Sequence, residues 1–101
     1  MRDYLRLMAP VLTAIKERHD DPKNARKGDY PTHIDELAVL MEGEFDELHA
    51  EHVMLYRSHD REGRIRQYER MREENADLML YAAMLNRAIE LRLQELMNGK
   101  N

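Results

Sequence analysis

Two pairs of acidic residues are the part of this sequence best suited to chemistry. Glu44 and Glu47 stand three residues apart, and so do Glu74 and Asp77. Residues at i and i+3 project from one side of a helix, and both pairs sit beside apolar residues: Phe45 and Leu48 for the first, Leu78 to Leu80 for the second. If the two segments are helices that pack, their carboxylates converge and repel one another unless a cation offsets the charge. An all-oxygen ligand set suits a hard divalent ion such as Mg2+, with Mn2+ as the second choice.

Counting alone does not single these pairs out. With 20 acidic residues in the chain, composition predicts about four i,i+3 acidic pairs, and there are three, the other being Glu17/Asp20. Placement is the stronger signal. Structural carboxylates favour the solvent face of a helix, whereas Glu44, Glu47 and Glu51 share a border of the apolar stripe when residues are set about 100° apart. On the residues alone, a metal site and a solvated acidic groove both stay open. Other metal chemistries fare worse. Asp46-x-x-His49 resembles half of a di-iron pattern, but the second copy such a site needs is missing, since no His follows His59. His49 and His52 lack zinc-peptidase spacing.

Three helices would have to position these residues. The first spans Asp3 to about His19, with Leu5, Met8, Leu12 and Ile15 at helical spacing. Pro10 implies that it is either kinked or begins near Ala9. A loop rich in breakers follows from Asp20 to Pro31, carrying Lys23, Arg26 and Lys27 around Gly28. Thr32 opens the second helix, with Asp35 completing a variant capping box. Its stripe is Ile34, Leu37, Met41, Phe45, Leu48, His52 and Leu55. The polar break Ser58–Gly63 returns the chain into a third helix from about Arg64 towards Met97. Tyr68, Met71, Asn75, Leu78, Ala82, Leu85, Ile89, Leu93 and Leu96 form its inner stripe. At 1.5 Å per residue this helix is roughly 50 Å long, more than the other two can cover. The expected fold is therefore a single all-α domain over residues 1–101, a three-helix bundle completed by self-association into a four-helix-type core.

Composition narrows the functional classes. A net charge of −4 with both signs interspersed argues against nucleic acid held by bulk electrostatics. No apolar run reaches membrane-span length, and the N-terminus has no signal-peptide core. The absence of cysteine removes thiol chemistry and fits a reducing cytoplasm. No nucleophilic Ser or Cys motif is present.

With these residues in view, the chain resembles the all-α NTP pyrophosphatase superfamily, and within it the MazG-like branch of phages and bacteria. Glu44-x-x-Glu47, 26 intervening residues and Glu74-x-x-Asp77 resemble the E-x-x-E…E-x-x-D signature. Glu73 to Met84 resembles the segment around the branch's second pair, and Asn24-Ala25-Arg26-Lys27-Gly28-Asp29-Tyr30 resembles its N-x-x-K-G-G-W element. The matching blocks run in order over residues 24–85. Two positions depart from the pattern: Leu80 stands where Asn is frequent, and Tyr30 replaces Trp.

The resemblance implies Mg2+-dependent hydrolysis of a nucleoside triphosphate to the monophosphate and pyrophosphate, in the cytoplasm of a bacterium or phage-infected cell. It implies metal ligation by Glu44, Glu47, Glu74 and Asp77, with Glu47 also taking the proton of the attacking water. It further implies substrate contacts from Lys27 to phosphate, from Tyr30 to the base and from Tyr81, and a homodimer or homotetramer; the charge and hydropathy pattern above adds the expectation of no nucleic-acid or membrane partner. The alternatives are a non-enzymatic helical dimerisation module, such as a small phage regulator, and a nucleotide-binding homologue that has lost hydrolysis.

Overall fold

The computed structural model describes residues 3–20 and 33–99, which form three α-helices and no strand. The basic loop with Lys27 and Tyr30, and Thr32, the expected start of the second helix, lie outside the described residues.

Helix α1 is Asp3–Asp20. Of the two readings left open at Pro10, a start near Ala9 is overturned, because the helix begins at Asp3 and runs through the proline. Proline has no N–H to give to the carbonyl four residues back, and this exposed helix tolerates the loss. Its last turn holds Arg18 and His19, where the negative end of the helix dipole favours cations.

Helix α2 is Ile34–Leu55, so it begins two residues later than the expected start at Thr32. His33 occupies the N-cap in extended conformation with no side-chain cap bond, while Asp35 and Glu36 face the positive end of the dipole in the first turn. Helix α3 is Arg61–Met97, 37 residues long, starting three residues earlier than its apolar pattern suggests. The reason is local. The Asp60 carboxylate accepts a 2.6 Å bond from the Gly63 N–H, which makes Asp60 the N-cap and places Gly63 inside the first turn. A Cβ at Gly63 would stand 2.8 Å from Asp60 Oδ1, so glycine here makes room for the cap rather than breaking the helix. At the other end Asn98 is the C-cap and Gly99, at φ +77°, takes the left-handed conformation that stops the helix.

α3 is the shared wall on which both α1 and α2 pack. The fully covered apolar residues among those described are few: Leu37, at 0% exposure, and the small residues Ala76 and Ala88. Two polar side chains, Gln67 and Asp77, are buried with them. The Gln67 amide nitrogen donates to both the backbone carbonyl and the carboxylate of Glu51, each at 2.6 Å, joining α3 to α2.

The apolar stripes are only partly closed. Phe45 is 57% exposed, and His52, Tyr68, Ile89, Leu93 and Leu96 are also exposed. Along α1, Leu5 and Leu7 are 81% and 69% exposed. Leu78 and Leu85 line an open groove of about 430 Å³ with Ala38, Met41 and Phe45. Geometry accounts for the difference from the sequence expectation: two helices cover only part of the circumference of α3, and the overlong stripe continues past them. Among the described residues the chain itself supplies three helices.

Replacing Asp60 with Ala removes the N-cap of the helix that carries Glu74 and Asp77. The expected cost is about 1 kcal/mol, read as a lower urea midpoint at unchanged slope.

Candidate metal centre

The two acidic pairs meet where α2 crosses the middle of α3. One carboxylate oxygen from each of Glu44, Glu74 and Asp77 can be chosen such that all lie within 4.8 Å of one another. Glu44 comes from α2, and Glu74 and Asp77 come from α3, so the triad exists only because the helices pack. Glu47 joins from the exposed side: its carboxylate acts on both Glu44 and Glu74 through hydrogen bonding and charge repulsion. The quartet read from the sequence is thus brought together, with three members around one point and Glu47 at its rim.

Its electrostatics are unfavourable in isolation. Burial is the main cause that pushes the Glu44 carboxyl up to about 7, followed by repulsion from Glu47 and Asp77. Glu74 is also pushed up to about 7, by burial first and then by its hydrogen bond and repulsion with Glu47. When protonated, each donates to the Glu47 carboxylate. Among the described residues, the buried Oε2 atoms of Glu44 and of Glu74 have no hydrogen-bond partner. A buried carboxylate oxygen without a donor carries a desolvation penalty of about 1–3 kcal/mol or more. Oxygens of this kind are suited to a cation that supplies the missing charge.

Asp77 is treated differently. It is 8% exposed, and Arg18 of α1 grips it from the end of that helix. Arg18 Nε donates to Oδ1 and Oδ2 at 3.1 Å each, and Nη2 donates to Oδ2 at 3.0 Å. His19 Nε2 lies 3.1 Å from Oδ1. Arg18 Nη1 is also 3.5 Å from Glu73 Oε2. The bond to Asp77 is the first cause that raises the Arg18 guanidinium above its ordinary value, against the opposing effect of burial. Fork-shaped contacts of this type are the strongest a carboxylate makes with a side chain.

Arg18, His19 and Gln67 were not visible as site residues in the sequence. Periodicity places Arg18 in the last turn of a helix but cannot say that this turn lands on Asp77, 59 positions later. Glu51, which shares the border with Glu44 and Glu47 in the sequence pattern, is half-buried and its carboxylate accepts from Gln67 of α3. Tyr81 sits half-buried one turn beyond Asp77 on α3, while Lys27 and Tyr30 lie outside the described residues.

Comparison with family models, with curated proteins and with solved structures returned no match to this chain.

The raised carboxyls fix the sign of the pH dependence of the metal-free protein. Groups with a folded pKa above the unfolded value bind protons more tightly when folded, so they stabilise at low pH and lose that contribution as pH rises. For Glu44 and Glu74 the window runs from the ordinary value of 4.5 up to about 7. Urea unfolding in EDTA should show stability declining across that window. Glu44→Gln and Glu74→Gln should each flatten the decline and leave the protein more stable than wild type at pH 8.

Proposed function

We propose that the chain is a Mg2+-dependent nucleoside triphosphate pyrophosphohydrolase that cleaves between the α and β phosphates. The observation that supports this reading best is the convergence of Glu44, Glu74 and Asp77 from two helices, with buried oxygens of Glu44 and Glu74 lacking any partner among the described residues. This is what the resemblance to the all-α NTP pyrophosphatases asks of those residues. The donor set is all carboxylate, matching the preference of Mg2+ and Mn2+ for oxygen.

In this reading the acidic cluster would hold Mg2+, which supplies charge for the phosphate oxygens and acidifies a bound water. Glu47, exposed at the rim beside Glu44 and Glu74, would accept the proton of that water. Tyr81 and the loop residues Lys27 and Tyr30 would meet the nucleotide. The uncovered apolar surface of α1 and α3, and the groove beside Phe45, would be closed by further copies of the chain in a homodimer or homotetramer. No helix among the described residues is long and apolar enough to cross a membrane.

A second reading has its own observation. Because Arg18 already pairs with Asp77, the cluster could be a structural ion network, and the open apolar faces could make the chain a helical interaction module without catalysis.

Incubation with Mg2+ and a panel of NTPs and dNTPs separates the two. The enzyme reading expects pyrophosphate and monophosphate in equal amounts. It also expects turnover reduced at least about a hundredfold by Glu44→Gln or Asp77→Asn, since removing a group that stabilises transition-state charge costs that much, with helicity by circular dichroism unchanged. Absence of turnover with every triphosphate, in Mg2+ and in Mn2+, overturns the enzyme and leaves the interaction module or a nucleotide binder that has lost hydrolysis. For the assembly, light scattering after gel filtration should give at least twice the chain mass of 12.1 kDa, and Leu5→Glu with Phe45→Glu should shift it towards the monomer.

A further inference from the structure

We infer that Arg18 is a built-in competitor for the divalent ion: in the metal-free chain its guanidinium holds the Asp77 edge of the acidic cluster, and an incoming cation must displace it. The inference rests on the metal reading above and concerns a residue of α1 that the acidic signature does not contain.

The geometry carries it. A carboxylate offers about four lone-pair directions. Arg18 occupies both oxygens of Asp77 through Nε and Nη2, and His19 Nε2 reaches Oδ1 as well. Little of Asp77 remains for another ligand while these contacts hold. The same carboxylate supplies the third oxygen of the triad with Glu44 and Glu74. A divalent ion held there would lie next to a guanidinium that is 3.0 Å from Asp77 Oδ2, and two cations at such range repel strongly in a partly buried setting. Arg18 and the ion therefore compete for one carboxylate rather than sharing it.

An exit for the displaced side chain is already present. Arg18 Nη1 lies 3.5 Å from Glu73 Oε2, and Glu73 is more than half exposed, in contrast with Asp77. A small rotation would leave Arg18 paired with Glu73 and facing the open side of the cluster. Such an exchange keeps Asp77 from being buried without a counter-charge in either state, which matters because breaking one side of a buried pair costs far more than exchanging its partner. Arg18 thus acts as a positioning residue that sets how tightly the cluster holds metal. It ties metal affinity to the seating of α1 on α3.

The opposite role, Arg18 orienting Asp77 so that the metal can bind, predicts the reverse sign, so the affinity of an Arg18 variant decides. Mg2+ and Mn2+ would be titrated calorimetrically into the full chain, as wild type, Arg18→Lys and Arg18→Gln. The expected result is tighter binding in Arg18→Gln, by about tenfold or more, with Arg18→Lys in between because its ammonium cannot fork. In the wild type, the Arg18 Nε–H resonance should be protected from exchange without metal and should shift and lose protection as Mg2+ saturates the site; this readout does not depend on a variant folding. Equal or weaker affinity in Arg18→Gln, or an Arg18 resonance unmoved at saturating Mg2+, overturns the competition while leaving the metal site standing. Failure of both wild type and Arg18→Gln to take up either metal removes the site itself and this inference with it.

Discussion

The structure turns on the cost of placing carboxylates where two helices meet. Glu44, Glu74 and Asp77 are drawn out of water by the packing of α2 on α3, and burial is the largest cause that raises Glu44 and Glu74. Glu47 adds to it from the rim. A folded chain can meet such a cost with protons, with an internal cation or with a bound one. This chain shows the first two: protons held by Glu44 and Glu74 up to about pH 7, and the Arg18 fork on Asp77. The third is the proposed Mg2+.

The remaining structure looks arranged around that junction more than around an apolar interior. Its covered apolar residues among those described are Leu37, Ala76 and Ala88, and two of these are small, allowing close approach of helices instead of filling volume. Gln67 and Asp77 lie among them, each tied to a second helix by hydrogen bonds. Stability from so slight a core is expected to be modest. The exposed leucines of α1 and the open groove beside Phe45 are the surfaces on which assembly would add burial.

Much of the fold could be read from spacing. The i, i+3 and i+4 recurrence gives three helices, and the Asn98-Gly99 stop is visible as such. Boundaries were set by single side chains that periodicity does not weigh: the Asp60 cap pulled the start of α3 back to Arg61, and α1 absorbed Pro10. The acid pairs were legible because each is local to one helix, and their convergence follows from one packing contact. The Arg18 fork and the Gln67 bridge were not legible, because they depend on the rotation of one helix against another. Phe45 and the far end of α3 show the converse limit. An apolar stripe reports that a face is to be covered, and not whether the cover belongs to the same chain.

The central claim is that Glu44, Glu74 and Asp77 together hold a divalent cation. The most direct measurement is anomalous scattering from crystals grown with Mn2+ and a non-hydrolysable nucleoside triphosphate. The account predicts a manganese peak bonded to oxygens of Glu44, Glu74 and Asp77 and to phosphate oxygens of the nucleotide, with Arg18 no longer forked on Asp77. A manganese-free cluster with Arg18 still on Asp77, in crystals where the nucleotide or the metal binds elsewhere, would contradict it.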